Sequence, residues 1–294
     1  MRLYCDENVD LAKIKDDGIR RFCFCEGTSG EHMLSLTEQT LKVEGTLQME
    51  GKQADQVKVL MYGIMILLLL VFQKMLGKVG RIVADLLTYE RFDPDKAFAW
   101  VSVHHITEML IALAVLVILS KLLGVDFGFS LGDRKKGTKY IVVYTAIFAG
   151  VTLISHILML VYNTLPVYDF PLSKYNILGT LGFQLLLSGP AEEILYRALP
   201  ITMLVHVLGK SAEVKWGITL ETIIASFLFA IAHVKWSLFP FAFEANYFQL
   251  LYAFVLGAIQ GKAYQDSHSI VYPIFMHSIS NVLMVGTGYL FLLL

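Results

Sequence analysis

Three motifs put polar residues at helical spacing in stretches that are otherwise apolar. The first is Glu192-Glu193-x-x-x-Arg197. Glu193 and Arg197 are four apart, so they share a helix face and can pair as carboxylate and guanidinium. Glu192 projects about 100° around the helix from Glu193. One carboxylate can thus be held by the arginine while its neighbour stays available. Two adjacent carboxylates in a low dielectric repel, and that is one route to a general base. The second motif is Phe229-x-x-x-His233, and the third is His277-x-x-x-Asn281. Each alone has a plain structural reading: a charged pair at a membrane boundary, a packed histidine, or a hydrogen bond between helices. Together they supply two imidazoles, two carboxylates, a guanidinium and a carboxamide. That is the inventory for activating water and stabilising an oxyanion. A second chemistry stays open, because Glu192, His233 and His277 could ligate a divalent metal such as zinc with a position left for water.

Other polar residues read as structure. His104-His105-x-x-Glu108 places His104 and Glu108 one turn apart, a conceivable metal pair. No third ligand is adjacent, and interface anchoring is the simpler account. His156 and His206 lie alone in apolar runs and read as packing residues. Asp266 and His268 read as solvated, and Gly150, Gly179 and Gly182 as points of close helix approach.

These residues need elements to hold them. The chain is 56% hydrophobic and 17% charged, against roughly 45–50% and about 25% in soluble domains. The excess is concentrated after residue 56. Runs long enough for a membrane span of roughly 20 residues fall at Val57–Leu76, Val101–Leu123, Lys139–Tyr162, Trp216–Val234, Ala245–Tyr264 and Ile270–Leu294. A longer run, Tyr175–Leu208, contains Ser188-Gly189-Pro190. The fold class expected is therefore an all-α transmembrane bundle of about seven or eight spans, since lipid leaves no partner for an open backbone. Pro190 removes a donor and disfavours helix at Gly189. A new helix is expected to begin there, with Glu192 and Glu193 in its first turn, where the dipole favours carboxylates.

Residues 1–56 are polar, form a separate segment and have no assignable role. Arg21–Cys25 and Leu41–Gly45 permit short strands. Cys5, Cys23 and Cys25 fit no zinc spacing and read as ordinary thiols. Met1–Asp10 has no apolar core, so no cleavable signal peptide is expected. Val79–Tyr89 is amphipathic and suits an interfacial position. Arg134, Lys135, Lys136 and Lys139 cluster between the second and third spans, which places the N-terminus on the cytoplasmic side. A net charge of −1 gives no electrostatic case for nucleic acid.

The three motifs, in this order, resemble the CPBP family: type II CAAX prenyl endopeptidases and bacteriocin-processing or immunity proteins, also called the ABI family. Gly257-Ala258-Ile259-Gln260-Gly261, and Ser269-Ile270-Val271-Tyr272-Pro273-Ile274 before His277, are similar to the family's C-terminal pattern. The resemblance covers about Leu181–Leu294 and implies a membrane endopeptidase. In it Glu192 activates water, His233 shares that water, Glu193 with Arg197 orients and charge-balances the site, and His277 and Asn281 donate to the oxyanion. It implies membrane lipid and a peptide or protein as partners, a prenylated CaaX tail being the best-known substrate. It implies either a metalloprotease or a metal-free glutamate protease. The metal-free form fits better here, for want of a His-Glu-x-x-His helix and with a guanidinium beside the site. Two other readings are a catalytically silent binding or immunity protein on the same fold, and a transporter with a broken helix at its binding site.

Overall fold

The computed structural model describes residues 30–294 apart from 210, 239 and 240; for 30–55 and 236–242 it describes the backbone only. The chain divides into two compact units, Met1–Gln56 and Val57–Leu294. The three cysteines and the Arg21–Cys25 strand lie outside the described residues. Leu41–Gly45, where a strand was permitted, is helical, within α1 (Gly30–Asp85). Val79–Asp85 is also part of α1 rather than a separate interfacial helix.

Several helices of the second unit start or stop for a local reason. α2 (Ala99–Leu123) begins where fully buried Asp93 accepts from the backbone N–H groups of Ala97 (2.9 Å), Phe98 (2.9 Å) and Ala99 (2.6 Å). Those donors have no partner inside the helix. It ends at Gly124, whose φ of 67° suits a residue without a side chain. α3 (Arg134–Val161) starts on Asp133 and α4 (Lys174–Phe183) on Ser173, each accepting from a backbone N–H three residues on. α7 (Leu220–Ala232) and α8 (Tyr247–Ser267) are capped in the same way by Thr219 and Asn246. The last helix is α9 (Val271–Leu293). Short antiparallel hairpins, β1 (Glu213–Lys215) with β2 (Ile218–Thr219) and β3 (Lys235–Leu238) with β4 (Phe241–Glu244), precede and follow α7.

The expected restart at Pro190 does not occur. From Lys174 to Leu208 the chain stays helical through α4, a π-helical turn Gln184–Ser188, α5 (Gly189–Glu193), a second π-helical turn Ile194–Ala198, and α6 (Leu199–Leu208). Each π turn ends two residues before a proline, Pro190 or Pro200. A proline inside a helix lacks a donor and clashes with the carbonyl one turn back. The wider π turn accommodates both defects, and such turns cluster at functional sites.

All seven apolar runs are helical, but span assignment by length and composition selects four: Gln56–Asp85, α2, α3 and α9. α7 is only 13 residues long, and π turns divide the Lys174–Leu208 run, so the count of seven or eight is not reproduced on that criterion.

The apolar interior joins α1, α2, α5 through α7 and the loop at Phe127, with Leu116, Leu195 and Leu204 at its centre. A second cluster joins α3, α8 and α9 around Tyr144, Phe148 and Met276. The outside is apolar as well. Leu67, Leu110, Ile147, Leu186 and Phe227 are each more than half exposed. Water would penalise such a surface; lipid does not. The molecule is an integral membrane protein built as an α-helical bundle.

Candidate active site

Gly189 brings the site together. A side chain at Gly189 would strike Ser278 Oγ and lie 2.9 Å from the Ile274 carbonyl, so α5 and α9 touch backbone to backbone there. That approach sets Glu193 against His277, with His277 Nδ1 donating to Glu193 Oε1 at 2.6 Å. Arg197 Nη1 lies 3.2 Å from the same oxygen, and both residues are fully buried. The expected Glu193–Arg197 pair is therefore formed. Arg197 is held on two further sides. Its Nη2 donates to Gln260 Oε1 at 2.9 Å. Its guanidinium stacks 3.9 Å above the Phe229 ring, a contact of about 2 kcal/mol or more when desolvated. Gly257 leaves the room for it, since a side chain there would come 3.2 Å from Nη2.

Phe229 is the hub of the motif residues. Its ring meets His233 edge-on at 4.8 Å and His277 at 6.1 Å between centroids. His233 donates its Nδ1–H to the Phe229 carbonyl at 2.9 Å, which leaves Nε2 as the reactive nitrogen.

Glu192 is the centre of the constellation. His105 Nε2 lies 3.4 Å from its Oε1, and His277 Nε2 lies 3.7 Å from its Oε2. Ser188 Oγ donates to Oε1 at 3.1 Å. Asn281 Nδ2 donates in turn to Ser188 Oγ at 3.0 Å. All six residues singled out in the sequence thus gather around Glu192 and Phe229.

Three contributors were not anticipated. The sequence around His105 reads as interface anchoring, yet His105 touches Glu192 across 87 residues of sequence. Ser188 reads only as part of a helix break, and Gln260 lies in the Gly257–Gly261 stretch with no role evident from the sequence. For His105 the signal was present in the His-His-x-x-Glu run. The third ligand missing from that run is His105 itself, since donor atoms of His104, His105 and Glu108 all lie within 4.8 Å of one another. Gly77 and Gly80 seat Glu108 and His104 against α1. Lys74, Lys78 and Arg81 line the same cavity and oppose a cation there.

Among the described residues Glu192, His233 and His277 do not form a donor cluster as tight as that of His104, His105 and Glu108. His277 nevertheless has the form of a metal ligand, with Nδ1 held by Glu193 and Nε2 left free 3.7 Å from Glu192 Oε2.

The lesser expectations divide. His156 is buried, its Nδ1 on the Thr152 carbonyl. Asp266 is not simply solvated: Tyr140 Oη donates to it at 2.5 Å and Lys262 pairs with it at 3.0 Å. Gly179 is a close approach, against the Phe98 ring, whereas Gly150 and Gly182 have no neighbour within 4 Å.

Two cavities meet at Glu192. One, of about 880 Å³, is lined by α1, α2 and the end of α7. The other, of about 480 Å³, lies between α2, α8 and α9. His105, Glu192, Phe229 and His233 line both.

Among curated proteins and among solved structures, no match is found. Residues 174–283, which hold all six motif residues, match the family model described as type II CAAX prenyl endopeptidase Rce1-like. Over that segment the chain is similar to the CAAX-type membrane endopeptidases which that model describes.

Proposed function

We propose that the protein cleaves a peptide bond in a membrane-associated substrate with a water activated by Glu192 and His233, and that a prenylated CaaX tail is such a substrate. The observation that carries this reading is the position of Glu192. Its carboxylate borders both cavities and is flanked by imidazole nitrogens at 3.4 and 3.7 Å.

The water's oxygen attacks the scissile carbonyl carbon while Glu192 takes a proton from it. His233 Nε2, fixed by the Nδ1 bond to Phe229, shares that water. The carbonyl oxygen becomes an oxyanion and receives hydrogen bonds from His277 Nε2–H and from Asn281, once Asn281 leaves Ser188. Glu192 then passes its proton to the leaving amine as the C–N bond breaks. Charge supports this division. Arg197 and Glu193 cancel, so a single proton on an imidazole next to Glu192 makes the buried group neutral. With that proton on His277, charges alternate along Arg197, Glu193, His277 and Glu192, and each is hydrogen-bonded or paired. Buried charge is tolerated only on such terms. A divalent metal held by Glu192, His233 and His277 would act on the same water as a Lewis acid.

We also propose that the N-terminus is cytoplasmic, on the strength of the Arg134–Lys139 cluster. A tag at residue 1 should resist protease in sealed cells and be lost after permeabilisation.

The test of the function is cleavage of a farnesylated CaaX reporter by the purified protein in detergent. Glu192→Gln preserves size and should lower kcat by roughly 10²–10⁴-fold, the usual share of a general base, without shifting the thermal midpoint. A rate equal to wild type in that variant would sink the mechanism.

A further inference from the structure

The two cavities that meet at Glu192 differ in chemistry, and the difference gives the substrate a direction. The smaller has no Lys or Arg in its lining and sets Phe183, Phe248, Tyr252, Leu256 and Met284 beside the polar motif residues. The larger carries a cationic stripe from α1. Lys74, Lys78 and Arg81 line it at i, i+4 and i+7, one face of the helix. At 1.5 Å per residue the stripe is roughly 10 Å long. Lys74 Nζ is engaged with the Ile231 carbonyl at 3.3 Å. Lys78 and Arg81 form no ion pair among the described residues and are exposed. Gly77 and Gly80 alternate with the cations and seat His104 and Glu108 of α2 directly against α1.

A cavity beside a protease centre does not need unpaired cations to bind an apolar peptide. We propose that Lys78 and Arg81 bind the free C-terminal carboxylate of the substrate. The residues after the scissile bond would lie in the 880 Å³ cavity, and the lipidated residue before it in the 480 Å³ cavity. The proposal rests on the protease reading above. It makes the enzyme a counter of residues from a chain end. A peptide whose end is blocked, or lies much farther away, would place the wrong bond at Glu192.

The test uses the full-length protein in a neutral detergent and two fluorogenic peptides with the same farnesylated cysteine. One ends in a free carboxylate and the other in a carboxamide. Wild type should cleave the acid about tenfold or more better in kcat/KM, chiefly through KM, as expected for losing one charge-assisted contact. In the Lys78→Gln/Arg81→Gln variant the ratio should collapse towards one at an unaltered thermal midpoint. Equal cleavage of both peptides by wild type, or a ratio that survives in the variant, overturns carboxylate capture alone. Failure of wild type to cleave either peptide overturns the protease reading and this one with it. A third arm adds phosphatidylglycerol. If the rate depends on that lipid and not on the peptide terminus, and the variant loses the dependence, the cations serve a lipid phosphate and the proposal falls.

Discussion

At the scale of single residues, His105 is the most informative. Its Nδ1 lies 2.9 Å from the Val101 carbonyl and must donate to it. A neutral ring then offers only a lone pair at Nε2, which faces a carboxylate oxygen. That contact is attractive only with a proton between them, so His105 is a second seat for the group's single proton, which His105 and Glu192 share when it leaves His277. His105→Phe should remove that shared proton and lower kcat on the order of 10²-fold, with an altered pH–rate profile. His105→Gln, which restores a donor, should recover part of the rate and differ in its profile. A normal profile in the phenylalanine variant would reduce His105 to a packing role. Arg197 makes a second case. Removing it leaves buried Glu193 with His277 as its remaining partner and takes the Arg197 donor from Gln260, so Arg197→Ala should cost about 3–5 kcal/mol. The midpoint of thermal or denaturant unfolding in detergent would show it.

At the scale of elements, the site depends on how α5 reaches α9. Glu192 and Glu193 project from a short helical stretch between two π turns. Each turn admits the bulk of a proline just beyond it and changes the direction in which later side chains point. Gly189 then removes the last obstacle between the two backbones. Gly189→Ala should force α5 away from Ile274 and Ser278, costing roughly 1–3 kcal/mol in overpacking. Because it separates Glu193 from His277, it should lower kcat on the order of 10²-fold. Activity measured beside the thermal midpoint separates the two effects. Full activity with a side chain at this position would mean that α5 and α9 are not held by that contact.

At the scale of the molecule, the exterior apolar surface and the buried ionic centre require the same environment. Leucines and isoleucines more than half exposed cover the outer faces of α1, α2 and α3, while Arg197, Glu193 and Glu221 lie inside at zero exposure. The whole is arranged for lipid outside and polar chemistry inside. The protein should remain with membranes after an alkaline wash and be released only by detergent; release by the wash alone would contradict an integral position. The paired cavities meet at a single carboxylate, one with aromatic walls and no cation, the other lined by Lys74, Lys78 and Arg81.

The sequence alone determined where the apolar helices after residue 56 are, because long apolar runs and short capping residues act locally. It also identified the six motif residues, since i, i+4 spacing follows from 3.6 residues per turn. It did not determine that the helix passes through Pro190, because propensity reads proline as a break while packing against α9 and a widened turn retain the helix. It did not reveal His105, Ser188 and Gln260 as parts of the site. Glu192 meets His105 across 87 residues, and Arg197 meets Gln260 across 63. No local periodicity encodes such a contact. Only the tertiary structure decided it, through glycines that let backbones touch and through one aromatic ring, Phe229, against which the charged groups are laid.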